Sequence, residues 1–292
     1  MSWYSIVRRG GTTSTPWDPS LSADVFAWYT TEGLTVSDTT SNANGDDAVI
    51  LLSDEIASTQ AAARSSNPDH APILTASTQN GLAVLEQQSS NGLYGTLSTG
   101  NLGNAGTATE ITFAAVSRNT SQGTVGVVDS GPFMMEMRDG SNRFITVAWS
   151  DSGAGQVATT SRCPYFRLDA GNTRYSSGPV VTGVDTWRIY TASFNLSTGQ
   201  CELFVDGTSN STATISGTSA IDMSTARVSV FGSTSYSFHR KALNGSQGGE
   251  FVFAESIDAT LRQKAEGHLA HKWGLTANLA VGHPYKTTAP TA

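Results

Sequence analysis

The stretch Trp187-Arg-Ile-Tyr-Thr-Ala-Ser-Phe-Asn-Leu-Ser-Thr-Gly-Gln-Cys-Glu-Leu-Phe-Val-Asp-Gly207 decides how the rest of the chain is read. Residues 187–194 and 201–205 alternate with a period of two, the pattern of strands with one face buried. Thr198-Gly199 turns the chain between them, and Asp206-Gly207 turns it again, because such dipeptides tolerate the positive φ of tight hairpins. Trp187 is expected in the core. The segment predicts one antiparallel hairpin with a second turn after it.

Working outward, short apolar runs and turn clusters repeat from residue 25 onward. Strands are expected at 25–29, 82–86, 111–118, 123–129, 133–138, 144–150, 165–169, 187–194, 200–205, 227–232 and 249–253. Asn80-Gly81, Asn91-Gly92, Asp139-Gly140, Asp206-Gly207 and Asn244-Gly245 punctuate them. Many short strands with such turns describe an all-β sandwich or barrel. One helix interrupts the pattern. Asp258 can cap a segment running to Trp273, with Leu261, Ala265, Leu269 and Trp273 along one stripe and Gly274 as its stop. Gly267 inside it costs roughly 1 kcal/mol relative to Ala, which points to a close approach by the sheet or another chain. A weaker helical stretch is read at 54–63. No internal repeat is found.

The chain has 292 residues, 38% of them hydrophobic, enough for a sizeable core in one domain. Only 14% are charged, against about 25% in an ordinary soluble protein; Ser, Thr, Asn and Gly take their place. Net charge is −7, and no run of Lys and Arg exceeds two. That excludes the basic stripe that neutralises a phosphate backbone, so no nucleic-acid partner is expected. No apolar run reaches the ~20 residues of a membrane span, and residues 1–10 lack the apolar centre of a signal peptide. Residues 1–20 read as an N-terminal arm, with Trp3, Tyr4, Ile6 and Val7 as an apolar tip on a flexible tether; the other reading is an edge strand folded back on the same domain. The domain proper is placed at 21–276 and an extended surface tail at 277–292. Cys163 and Cys201 are the only cysteines. Their separation fits no metal spacing, and both a disulfide and two buried thiols remain open.

The hairpin at 187–207 resembles the central hairpin of concanavalin A-like, laminin-G-type jelly rolls. The stretch Arg262-Gln-Lys-Ala-Glu-Gly-His-Leu-Ala-His-Lys-Trp-Gly-Leu275, followed by Gly282-His-Pro-Tyr-Lys286, is similar to the closing helix and tail of such domains in phage virion proteins and bacterial surface proteins. Ser65-Ser-Asn-Pro-Asp-His-Ala-Pro-Ile-Leu74, leading to Asn80-Gly-Leu-Ala-Val-Leu85, resembles their first part. The likeness runs from about Ala23 to Lys286. It implies an all-β, two-sheet antiparallel jelly-roll sandwich with one C-terminal α-helix. The chain departs from that family after Asn80-Gly81, where Val84-Leu-Glu-Gln-Gln88 replaces Phe-Asp-Gly, and in the first strand, where Trp28-Tyr-Thr-Thr31 replaces Leu-Asp-Ala. The resemblance therefore carries neither a carbohydrate nor a calcium site to those turns, and no cofactor is expected.

Related jelly-roll glycosidases carry Glu-x-Asp-x-x-Glu on one strand, so that alternate carboxylates share a cleft. Here only Glu136-Met-Arg-Asp139 comes near, and its two acids should face opposite sides, as strand-end charges before an Asp-Gly hairpin. Trp149-Ser-Asp-Ser-Gly153 resembles a sialidase Asp box without its spacing and reads as a turn. His268 and His271, with Glu266 nearby, lack a third ligand with its supporting shell and read as packing and capping residues. No catalytic residue and no metal ligand is assigned. The candidate ligand contacts are Tyr94, Trp149, Tyr175, Tyr236 and His239, aromatic and polar groups beside Ser, Asn and Gly of the kind that stack on and hydrogen-bond sugars.

The functional expectation is a non-enzymatic phage virion structural protein, a capsid decoration or head/tail fibre subunit, located in the virion. Its partners would be other virion proteins and further copies of itself, without membrane insertion. The alternative is a carbohydrate-binding receptor binder or adhesin of the bacterial surface or extracellular space, with a host-surface glycan as ligand. A glycosidase or lyase is the third reading.

Overall fold

In the computed structural model, residues 14–32, 34, 39–41, 47–49, 51–56, 60–63, 71–86, 97–118, 133–141, 143–149, 164–168, 174–176, 185–214, 220–230 and 247–292 are described. The first ten strands are β1 (Val25–Thr30), β2 (Thr39–Ser41), β3 (Asp47–Val49), β4 (Leu51–Ser53), β5 (Gln60–Ala63), β6 (Ile73–Gln79), β7 (Leu82–Glu86), β8 (Leu97–Thr99), β9 (Thr107–Ala108) and β10 (Glu110–Arg118). The rest are β11 (Phe133–Arg138), β12 (Phe144–Trp149), β13 (Pro164–Leu168), β14 (Arg174–Ser176), β15 (Arg188–Asn195), β16 (Gln200–Val205), β17 (Thr208–Thr214), β18 (Ile221–Asp222), β19 (Arg227–Val230) and β20 (Gln247–Ala254). One helix, α1 (Ala259–Lys272), follows.

The larger sheet runs β17-β16-β15-β10-β20-β7-β6-β3-β2, with β1 also paired to β20. The smaller runs β14-β13-β12-β11-β19-β8-β5-β4, and β18 pairs β9 separately. Neighbours far apart in sequence, such as β10 beside both β15 and β20, with every described ladder of the two sheets antiparallel, make this a lectin-like jelly-roll sandwich. The hairpin that opened the reading is β15-β16, in register from Asn195↔Gln200 to Tyr190↔Val205. Its second turn has Asp206 at φ 53° and Gly207 at φ 75°, and Asn80-Gly81 between β6 and β7 repeats that geometry at 49° and 77°. Both dipeptides adopt the doubly left-handed turn expected of them.

Two cores explain why the central strands lose their alternation. Ile111, Phe113 and Ala115 of β10 point between the sheets with Phe251 and Phe253 of β20; Ala114, Val116, Val252 and Ala254 point outward under α1. A strand covered on both faces reads as an unbroken apolar run. Between the sheets Phe113 packs on Phe253 and Phe194 at centroid distances of 5.0 and 5.6 Å. On the outer face Leu261, Ala265, Leu269 and Trp273 of α1 are buried, and Trp273 stacks on Trp187 at 6.0 Å. Trp187 thus fills the helix-side core.

Asp258 caps α1 as expected, its carboxylate accepting from the amides of Thr260 and Leu261. Asp258→Ala should cost about 1 kcal/mol and lower Tm by a few degrees in thermal unfolding. Gly274 ends the helix at φ 68°. A Cβ on Gly267 would sit 2.5 Å from Tyr285, so the close approach comes from this chain's own C-terminal segment.

Three expectations are corrected. The described residues of 54–63 are not helical: Asp54 bridges to Tyr29 and takes the amides of Trp28 and Ile56, and Gln60–Ala63 is β5, paired to β4 and β8. Sheet pairing overrides a weak helical propensity there. The C-terminal segment 277–292 is not an extended surface tail. Lys286 Nζ donates to the carbonyls of Thr276, Ala277 and Leu279, His283 and Leu279 are buried, and Thr291 pairs with Pro16. That pairing also docks residues 14–20 of the supposed arm, with Trp17 buried against His268. The arm tip Trp3, Tyr4, Ile6 and Val7, the expected strand at 123–129 and Cys163 lie outside the described residues. Cys201 is a free, buried thiol, pushed up to about 12 by burial.

Candidate functional site

Helix α1 covers β10 and β15 and reaches β16 through Arg262 over the buried Phe204 ring, while β17 beyond it stays largely exposed. Where its first turn meets those strands lies an open groove of about 820 Å³. Ile257, Ala259 and Arg262 form the helix wall; Thr212 and Thr214 of β17 form the other; Ser193, Asn195, Gln200, Glu202 and Phe204 lie in the lining between. The period of two places Glu202 and Phe204 outward while Cys201, Leu203 and Val205 face the core between the sheets.

The groove is held rigidly. Arg262 lies 3.7 Å over the Phe204 ring and donates from Nη1 to Glu266 Oε1 at 2.7 Å. His283 accepts the Tyr285 amide on Nδ1, so its Nε2–H donates to the other Glu266 oxygen at 3.0 Å. Asn195 orders the β15-β16 turn by accepting from the Ser197 and Thr198 amides, and its Nδ2 donates to Glu110. Glu202 accepts from Ser209 Oγ at 2.6 Å. At the far end of β16, Asp206 takes the Ile189 amide and a 2.6 Å bond from Arg188; burial raises its pKa against those contacts. The result is an open trough of amides, hydroxyls and one carboxylate beside an Arg–Phe stack. It suits a polar, hydroxyl-bearing chain.

None of the candidates read from sequence is among the described residues that line the groove. Trp149 closes β12 and Tyr175 lies in β14, both in the smaller sheet, and their side chains lie outside the described residues. Tyr94, Tyr236 and His239 also lie outside them. Glu136 and Asp139 separate as expected: Glu136 is buried and accepts from Thr146, and Asp139 caps the β11-β12 turn through Ser141 and Arg143. His268 and His271 serve different contacts, Glu250 and the Tyr285 carbonyl. Among the described residues no group of three or more His, Cys, Asp or Glu could hold a metal ion.

No family model matches the chain, and no curated protein matches it. Solved structures do. Domain 4 of AbnA, a GH43 extracellular arabinanase from Geobacillus stearothermophilus solved with arabinotriose, is 9% identical and aligns over 80% of this chain and 93% of its own, with a TM-score of 0.50. The receptor-binding domain of botulinum neurotoxin D is 11% identical over 84% of this chain and 53% of its own, at 0.45. A heptameric SAP-like pentraxin from Limulus polyphemus is 12% identical over 64% and 80%, at 0.43. At such identities the shared property is the jelly-roll fold.

Proposed function

We propose that this chain is a non-catalytic attachment module that holds a glycan in the groove between β16, β17 and the first turn of α1. The observation that carries this is the groove's chemistry: amide and hydroxyl groups lining an open trough of about 820 Å³ beside the stacked Arg262–Phe204 pair. A glycosidase needs two carboxylates across the scissile bond, and this lining offers one, Glu202. The arabinotriose held by the arabinanase domain supplies the first probe.

Calorimetry with the full chain should give micromolar to millimolar binding of neutral oligosaccharides, the range expected of a shallow polar groove. Thr212→Arg, at an exposed position of the β17 wall, should weaken that binding at least tenfold with Tm unchanged. Unaltered affinity in that variant would move the site elsewhere on the molecule.

The setting we propose is a phage particle, with the module as a capsid decoration or fibre subunit. It rests on the low charge, the apolar segment before residue 14 and the likeness of the closing helix to virion jelly rolls. Display in many copies would raise weak binding through avidity. Immunogold labelling of particles tests it, and particles without label would return the module to the bacterial surface reading.

A further inference from the structure

Resting on that reading, we infer that the groove selects neutral glycans and rejects acidic ones of the same length, with Glu202 as the residue that sets the selection. The lining has one cation and one anion, and they are not equivalent. Arg262 is already committed: Nη1 donates to Glu266 at 2.7 Å, and its guanidinium face is spent on Phe204 at 3.7 Å. Glu266 is fully buried, so the pair is neutral and fixed. Glu202 has no cationic partner in the lining. Its Oε1 takes only a hydroxyl, that of Ser209, which leaves its charge uncompensated.

What stands behind the lining has the same sign. Asn195 donates its amide to Glu110, presenting its carbonyl to the Ser197 and Thr198 amides, and the helix start is occupied by the Asp258 carboxylate. The α1 N-terminus therefore offers no empty anion site. Arg188, at the start of the neighbouring strand β15, is tied to Asp206 at 2.6 Å. A carboxylate with one oxygen free accepts sugar hydroxyls well and repels a uronate or sulfate. At partly screened separations one such repulsion is worth about tenfold in affinity.

The test compares arabinotriose with trigalacturonate by calorimetry on the full chain at low and high salt, in the natural sequence and in Glu202→Gln. The expected result is neutral binding at least tenfold tighter than acidic at low salt, a gap that shrinks as salt screens Glu202, and a gap reduced to a few-fold in Glu202→Gln. Equal binding of the two, tighter acidic binding, or acidic binding that weakens with salt overturns the charge selection and leaves the glycan reading standing. Binding of neither sugar, and of no neutral glycan on an array, overturns both. Because the Glu202 side chain is half-exposed on the outer face of β16, an unchanged Tm in Glu202→Gln separates these outcomes from a folding defect.

Discussion

Glu250→Ala is expected to remove about 3–5 kcal/mol of folding stability, the largest loss from any single polar side chain described here. Glu250 is fully buried in β20 under α1. Its Oε1 accepts from Trp28 Nε1 at 2.7 Å and contacts His268 Nε2 at 2.9 Å. Its Oε2 accepts from Trp273 Nε1 at 2.8 Å and pairs with Lys272 Nζ at 3.0 Å. Removing the carboxylate orphans two indole N–H groups and leaves Lys272 only one ion-pair partner, Glu32, which is itself half in solvent, beside the Thr30 hydroxyl. An unpaired buried donor or charge costs more than the intact cluster contributes. Urea unfolding at pH 7 measures the loss, and a change under 1 kcal/mol would mean that the cluster relaxes without its centre.

The same residue makes stability depend on acid. Burial alone would raise the Glu250 pKa, but Lys272 and His268, with hydrogen bonds from His268 and Trp273, hold it at about 2 against the ordinary 4.5. The folded value is depressed, so the contribution is present above the unfolded value and lost as pH falls through the folded one. The drop from 4.5 to about 2 corresponds to roughly 3 kcal/mol, released between pH 4.5 and 2. In Glu250→Gln that part of the acid limb should flatten.

Local chemistry was legible and long-range assembly was not. Asp206-Gly207, Asn80-Gly81, Asp258 and Gly274 each declare a backbone state that only a few residue types tolerate, and each adopts it. The largely apolar stretch Ile111–Val116 of β10, interrupted only by Thr112, marked a strand, though nothing in it shows that α1 covers its second face. Strands such as β6, Ile-Leu-Thr-Ala-Ser-Thr-Gln, and β17, Thr-Ser-Asn-Ser-Thr-Ala-Thr, carry little apolar alternation and exist because neighbouring strands satisfy their backbones. The C-terminal segment looked extended because its anchors are single side chains without periodic pattern, Lys286 turned back on three nearby carbonyls and His283 on Glu266. The groove was missed for a related reason. Searching loop aromatics passes over Phe204, although the alternation of 201–205 already set it on the face opposite Leu203. Arg262, which completes it, arrives from the other end of the domain.

Gly249→Ala should be as damaging as the loss of Glu250, for a steric reason. Gly249 is the extra residue of a bulge where β20 slips register against Val116 and Ser117. A Cβ there would lie 1.8 Å from Trp273 Cη2 and 2.3 Å from Cζ2. The ring cannot withdraw, because Nε1 is bonded to Glu250, its face stacks on Trp187, and it is fully buried. The expected cost is at or above about 3 kcal/mol, the upper part of the overpacking range. Gly100→Ala, with open space around the added methyl, should stay within about 0.5 kcal/mol. Shrinking the obstacle tests the cause. If the clash is the mechanism, Gly249→Ala combined with Trp273→Leu must cost at least about 1 kcal/mol less than the two single losses together. Strict additivity would trace the effect to the bulge backbone and not to the indole.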